Sequence, residues 1–282
     1  VWALAALQSN TSAFQKEKRL KLTSKTLTDF QDIKNLLVVV AMDVELAAIE
    51  RHIQSKQKIS LHSQLGLEVL EVQRGTRKIY IAKAGVGTVN AGILAALASE
   101  KLEFDALLLF GVGGSLSPDL QIGDVVISTG ILQHDAVYSG STREFMAPGE
   151  LFLTIPEQER KPSLMAAHPI LISFLSKVSE QKGLRARAGV ILSGSEFAAT
   201  SERKIELANL HDNSLIVEME AAGLAQVCQK LDIPFAAAKT VADRLNPDGD
   251  VSTDYRTFVS SASENAAQFF QAILNELGKS QR

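Results

Sequence analysis

The chain has 282 residues, 46% hydrophobic and 22% charged, with a formal net charge of −3. This is the composition of a globular protein with a large core, and it lacks the basic footprint of a nucleic-acid binder. One cysteine, Cys228, rules out an internal disulfide and a thiolate zinc cluster, and no apolar run reaches the ~18 residues that span a bilayer.

The opening "VWALAALQSN" is apolar without a basic flank, so it reads as a frayed extension or the remnant of a processed targeting segment. "QKEKRLKLTSKTL" reads as solvated. Residues 1–34 are therefore set apart as an extension, and the folded domain is expected over 35–282. "NLLVVVAM" is a short β-branched run of the kind buried on both faces of a sheet, and "DVELAAIERHI" follows at helical spacing. "LEVLEVQRG" and "RKIYIAKAG" alternate around Gly75-Thr76-Arg77 and predict an antiparallel pair. Next come an Ala-rich helix in "GTVNAGILAALASEKL", a buried strand in "FDALLLFG" and a further strand in "GDVVISTGILQHDAV". Beyond a loop with Pro148 and Gly149, "HPILISFLSKVSEQKG" predicts an amphipathic helix closed by glycine. Cys228 is expected to be a buried structural thiol on "AAGLAQVCQKL". "RARAGVILSG", "NSLIVEME" and "PFAAAKTVAD" predict three more strands, and "FVSSASENAAQFFQAILNELG" a last helix. Alternating strands and helices without an internal linker imply one α/β domain with a mixed sheet between helices.

In such sheets ligands gather beyond the carboxyl ends of the strands. There stand Asp43 and Glu45 in "AMDVE", the glycines of "AKAGVGTVNAG", Gly111, Gly113 and Gly114 in "LFGVGGSL", and Asp243 in "KTVADRL". Asp43 reads as helix capping; Glu45 and Asp243 fit either capping or chemistry. Glycine turns let backbone N–H groups approach an anion or a sugar, yet neither turn matches a dinucleotide or P-loop fingerprint. His134-Asp135 would point to opposite faces of a strand, and no Gly-x-Ser-x-Gly elbow is present. No cluster of histidines and carboxylates suggests a metal. Most unusual is "VEMEAAG", where Glu218 and Glu220 stand between a buried strand and an apolar helix. Carboxylates at such a joint need a partner or a ligand. Glu45, Glu220 and Asp243, with no basic partner evident, point to acid–base chemistry and sugar hydroxyl binding.

In this order and spacing, "VVVAMDVE", "AGVGTVNAG", "FGVGGSLSPDLQIGDVV", "QHDAV", "LSGSEF", "VEMEAAGLAQVC" and "TVAD" resemble the 5′-methylthioadenosine/S-adenosylhomocysteine nucleosidases of the nucleoside phosphorylase superfamily. The resemblance runs from about Leu36 to the C-terminal helix. It implies a partly closed mixed sheet, a homodimer and hydrolysis of a ribosyl–adenine bond without metal or organic cofactor. By matching position, Glu45 would activate water and Asp243 would donate a proton toward N7. Glu220 would hold the ribose hydroxyls, with Met219 packed on the sugar and Glu218 as support. Phe197 would stack on the purine while the backbone at Phe197 and Ala198 reads its edge. Met42, Val86 and Tyr255 would surround the 5′ group, and the partner subunit would cover it with "YSGSTREFMAPGE" as the candidate segment. A small-molecule nucleoside is thus the expected ligand, no nucleic acid or membrane partner is expected, and the location implied is cytoplasmic.

Some residues depart from that pattern. Val112 replaces a serine, Ala242 a serine before the acid, Lys239 an arginine and Ser195 an aspartate. A phosphorylase would need arginines or free helix N-termini beside the sugar; "AGVGTVNAG" and "FGVGGS" hold no arginine, and Glu45 would repel phosphate. Hydrolysis of another nucleoside such as futalosine, true phosphorolysis, and nucleoside storage without catalysis are the competing readings.

Overall fold

The run Asn35–Val40 forms β1, and Leu36 to Val40 are buried because helices cover both faces of the sheet around it. The computed structural model describes residues 29–139, 143–146, 164–245 and 251–279. After β1 come α1 (Asp43–Glu50), β2 (Gln57–His62), β3 (Leu67–Arg74), β4 (Arg77–Lys83), α2 (Thr88–Lys101), β5 (Ala106–Ser115) and β6 (Val125–Gln133). A short antiparallel pair follows, β7 (Val137–Ser139) and β8 (Arg143–Phe145), then β9 (Leu164–Ala166) and α3 (Pro169–Gln181). The chain ends with β10 (Ala186–Ser193), α4 (Ser201–Ala208), β11 (Ser214–Glu218), α5 (Ala221–Lys230), β12 (Phe235–Asp243) and α6 (Val251–Leu277).

The strands form one mixed sheet in the order β11-β10-β6-β12-β5-β1-β4-β3-β2, with β9 against β6. A second pairing of β11, antiparallel to the far end of β5, sets Ile216 opposite Ser115 and Val217 opposite Gly114. It closes β5, β12, β6, β10 and β11 into a barrel, while β1, β4, β3 and β2 continue as an open wing. A Cβ at Gly113 would stand 2.8 Å from the Val217 carbonyl, so closure at this point demands a glycine.

Alternation along β1 sorts the core into two layers. Leu36, Val38 and Val40 pack with α1, α3 and α6; Leu37 and Val39 pack with α2 and α5. The two helices of the second layer touch closely, because a side chain at Gly223 would run into the Thr88 carbonyl. Cys228 is buried in this layer, and burial pushes its thiol well above the usual range, as befits a structural cysteine.

Packing begins a few residues ahead of the boundary drawn from sequence. Phe30 stacks on Phe174, and the buried Arg77 donates to the carbonyls of Ile33 and Leu277, both at 2.9 Å. Residues 1–28, and the loop with Pro148 and Gly149, lie outside the described residues. Four strands add to those expected, the polar edge strand β2, the short pair β7 and β8, and the three-residue β9, while β6 stops at Gln133 instead of running on through His134. No helix among the described residues is long and apolar enough to cross a membrane.

Candidate active site

The joint between β1 and α1 turns Glu45 inward. Its Oε2 accepts from the backbone N–H of Ala41 and of Met42, both at 2.8 Å, and its Oε1 accepts from Val112 N–H at 2.9 Å. The first pair is capping, yet the same carboxylate also faces a cavity, so capping and site coincide. Asp43 points outward to Lys83, as expected of a helix-start acid. Gly111 has φ +148°, and a Cβ there would overlap Glu45 Oε1. Gly111→Ala is therefore expected to displace the Glu45 carboxylate and lower turnover about 10²-fold, the cost of an ångström-scale misplacement, with the melting temperature measured alongside as a fold control.

The joint between β11 and α5 carries the two acids of "VEMEAAG". Glu218 folds back to accept from Glu220 N–H at 3.1 Å and Ala221 N–H at 3.0 Å, satisfying helix donors that would otherwise be orphaned. Glu220 turns the other way, accepting from Gly87 N–H at 3.1 Å at the start of α2. Between them lies Lys239 of β12, fully buried, with its Nζ 2.9 Å from Glu218 and 3.1 Å from Glu220. Burial works to raise the Glu218 carboxyl, but Lys239 and the Ser193 hydroxyl hold it below the ordinary value. In Glu220 burial, with help from Glu218, outweighs Lys239 and holds the carboxyl above it. Burial would lower the Lys239 ammonium, but Glu218, Glu220 and Glu45 together raise it.

At the end of β12 Asp243 is paired with Lys204, which comes from α4 and is fully buried. Burial raises the Asp243 carboxyl and lowers the Lys204 ammonium, and in each case the pairing only partly offsets it. Gly114 makes the room: a Cβ there would stand 2.7 Å from Asp243 Oδ1 and 3.1 Å from Lys204 Nζ.

The loop after β10 supplies the opposite wall. Phe197 is 45% exposed and meets Tyr255 edge to face at 5.2 Å, while the Tyr255 hydroxyl donates to Met42 Sδ at 3.2 Å. Asp135 fixes this loop by accepting from Ser195 N–H at 2.7 Å, and Arg203 clasps Glu196 at 2.6 and 2.8 Å. His134 lies buried beneath it; because β6 has already ended, His134 and Asp135 both approach Gly194 rather than pointing to opposite faces.

Met42, Glu45, Val86, Gly113, Gly114, Phe197, Ala198, Glu218, Met219, Glu220, Asp243 and Tyr255 thus line one cavity, with Gly111 directly behind Glu45. Val112 and Ala242, which lack the hydroxyls of the related pattern, pack together with Ala262, Met42 and Tyr255 in an apolar cluster, of which Val112 also lines the cavity. One expectation needs correction. The acids do have basic partners: Lys239 serves Glu218 and Glu220, and Lys204 serves Asp243. Lys204 went unnoticed because "SERKIELA" looks like a surface helix; only its approach to the end of β12 buries that one lysine. Among the described residues no group of three or more His, Cys, Asp or Glu is arranged to hold a metal ion.

The family model described as the phosphorylase superfamily matches residues 35–277. A 5′-methylthioadenosine/S-adenosylhomocysteine nucleosidase of Staphylococcus aureus is 28% identical over 241 residues, spanning 85% of this chain and 99% of its own. The nucleosidase of the same name from Neisseria meningitidis, in complex with methylthio-immucillin-A, superposes with a TM-score of 0.72 at 26% identity, covering 86% of this chain and 99% of its own. A futalosine hydrolase mutant of Helicobacter pylori gives 0.74 at 22% identity over 86% and 99%.

Proposed function

The chain belongs to the phosphorylase superfamily, and on that premise we propose that it hydrolyses the N-glycosidic bond of 5′-modified adenine nucleosides, methylthioadenosine and S-adenosylhomocysteine, releasing adenine. The arrangement of Glu45 carries the choice of water over phosphate. Its carboxylate already takes the N–H groups of Ala41, Met42 and Val112, leaving those donors unavailable to an anion, and no arginine among the described residues lines the cavity. An anion beside the sugar at this point would meet a carboxylate in place of donors.

In this reading the purine lies against Phe197, with the backbone at Phe197 and Ala198 along its edge and Asp243 at N7. Glu220 binds the ribose hydroxyls, Met219 packs on the sugar, and Glu218 holds the turn. Met42, Val86 and Tyr255, backed by Val112 and Ala242, form an apolar seat for the 5′ substituent. As the C1′–N9 bond breaks, its electron pair passes to the purine, which takes the Asp243 proton at N7. The water oxygen bonds to C1′ and gives its proton to Glu45. Burial favours the protonated form of Asp243, which suits it to start the cycle as the acid. Each such role is typically worth about 10²–10⁴ in rate.

The test is adenine release from a panel of nucleosides in phosphate-free buffer. Turnover of the methylthio and homocysteinyl substrates without phosphate is expected. A strict requirement for phosphate, with ribose 1-phosphate chemistry in the product, refutes the hydrolytic reading; faster turnover of futalosine refutes the substrate assignment.

A homodimer belongs to the same proposal. Val89 and Ile93, 70% and 41% exposed, share one face of α2, and Val86, 47% exposed in the turn just ahead of that helix, lines the cavity. A second copy packed there would shield the stripe and close the 5′ end of the site. Val89→Glu is expected to shift the protein toward monomer in sedimentation velocity and to raise KM; an unchanged sedimentation coefficient would place the contact elsewhere.

A further inference from the structure

We propose that Lys204 is a positioning residue for Asp243, fixing the orientation of the acid and stabilising the carboxylate left behind when its proton moves to the leaving purine. The proposal rests on the nucleosidase reading above and adds a residue to it.

The geometry is specific. Lys204 has no solvent exposure, and its Nζ binds Asp243 Oδ1 and donates to the Arg244 carbonyl at 3.0 Å. One oxygen of the acid is thereby committed. Among the described residues nothing bonds the other, and Asp243 lines the cavity where a purine would lie. The neighbour on the strand cannot orient the acid, because Ala242 carries no hydroxyl and packs into the apolar cluster with Val112 and Ala262. Gly114 leaves the space that both groups occupy.

The chemistry explains why a lysine belongs there. Burial makes a neutral carboxyl easy to keep but a carboxylate costly to form, so a buried acid on its own gives up its proton reluctantly. An ammonium already in contact with Oδ1 lowers the energy of the carboxylate without moving when the proton leaves. The same helix ties this to base binding. Arg203, next to Lys204 in α4, clasps Glu196 beside Phe197, so one element both holds the purine-facing loop and supports the acid.

The experiment compares two leaving groups. One is the methylthioadenosine substrate, whose adenine needs a proton. The other is a 4-nitrophenyl riboside with the same 5′ group, whose phenolate departs without one. Lys204→Met is expected to lower kcat on the nucleoside about 10²-fold, within the range of a general-acid contribution, with KM within about threefold. Turnover of the aryl riboside should stay within about threefold of the parent protein. The alkaline limb of kcat should move to higher pH, because the cation that opposes protonation of Asp243 is gone. Lys204→Gln, which keeps a donor without the charge, is read by the same ratio if the methionine variant does not fold. Loss of both substrates in step, or unchanged nucleoside kcat and pH profile, overturns the proposal. If the parent protein turns over neither substrate, the nucleosidase reading itself has failed.

Discussion

Asp243→Asn is expected to lower adenine release at least about 10³-fold while a non-hydrolysable nucleoside analogue still binds within about tenfold of the parent affinity. The amide fills the same volume and retains a donor toward a purine, but it has no proton of suitable acidity to give. Binding should survive because Phe197, Met219 and Glu220 are untouched. The alkaline limb of kcat should also vanish, since burial raises the carboxyl and its ionisation is what ends activity at high pH in this reading. Stopped-assay kinetics with calorimetric titration of the analogue checks both parts. Equal turnover of the two proteins would remove Asp243 from the chemistry, and equal inactivity would favour a nucleoside-binding protein on the same scaffold.

Much of this placement is legible in the sequence. β1, β5 and β12 could be read from continuous apolar runs, because strands covered on both faces leave no room for polar alternation. The ends of β1 and β12 then gave Glu45 and Asp243 by the rule that sites lie beyond them. Gly111, Gly113 and Gly114, expected as a turn after the strand, instead lie inside β5 and pair with β12, because the ladder needs only their backbone. Gly111 and Gly114 proved more informative than their weak motif suggested, since each makes room for a named carboxylate.

What could not be read follows from long-range contact. The bridge of Val217 to Gly114 closes the barrel across about a hundred residues of chain, and no local pattern encodes such a pairing. β2 escaped notice because it is an edge strand whose burial is mostly exposed or intermediate, so its sequence carries little alternation. The two lysines were hidden for opposite reasons. Lys239 sits in a strand that is otherwise apolar or small, where a charge must be paired, but the partner could not be named from spacing alone. Lys204 has the neighbours of a solvated residue, and its partner lies 39 positions away.

Lys239→Met is expected to destabilise the fold by about 3–5 kcal/mol near pH 8, the usual cost of removing one partner from a buried ion pair. Glu218 and Glu220 are both buried and share a single ammonium, so its loss leaves two unpaired carboxylates at one joint. Each would then have a folded-state pKa above its unfolded value, a group whose stability contribution is present below the unfolded pKa and lost as pH rises through the folded one. The deficit should therefore shrink at pH 5, where protonation relieves the repulsion, and urea titrations at the two pH values measure the difference. Lys239→Arg keeps the charge and should recover most of the loss. A methionine variant as stable as the parent at pH 8 would mean that water reaches this joint. In that case the ammonium would be needed to aim Glu220 at a sugar, and its loss would appear in KM rather than in the unfolding midpoint.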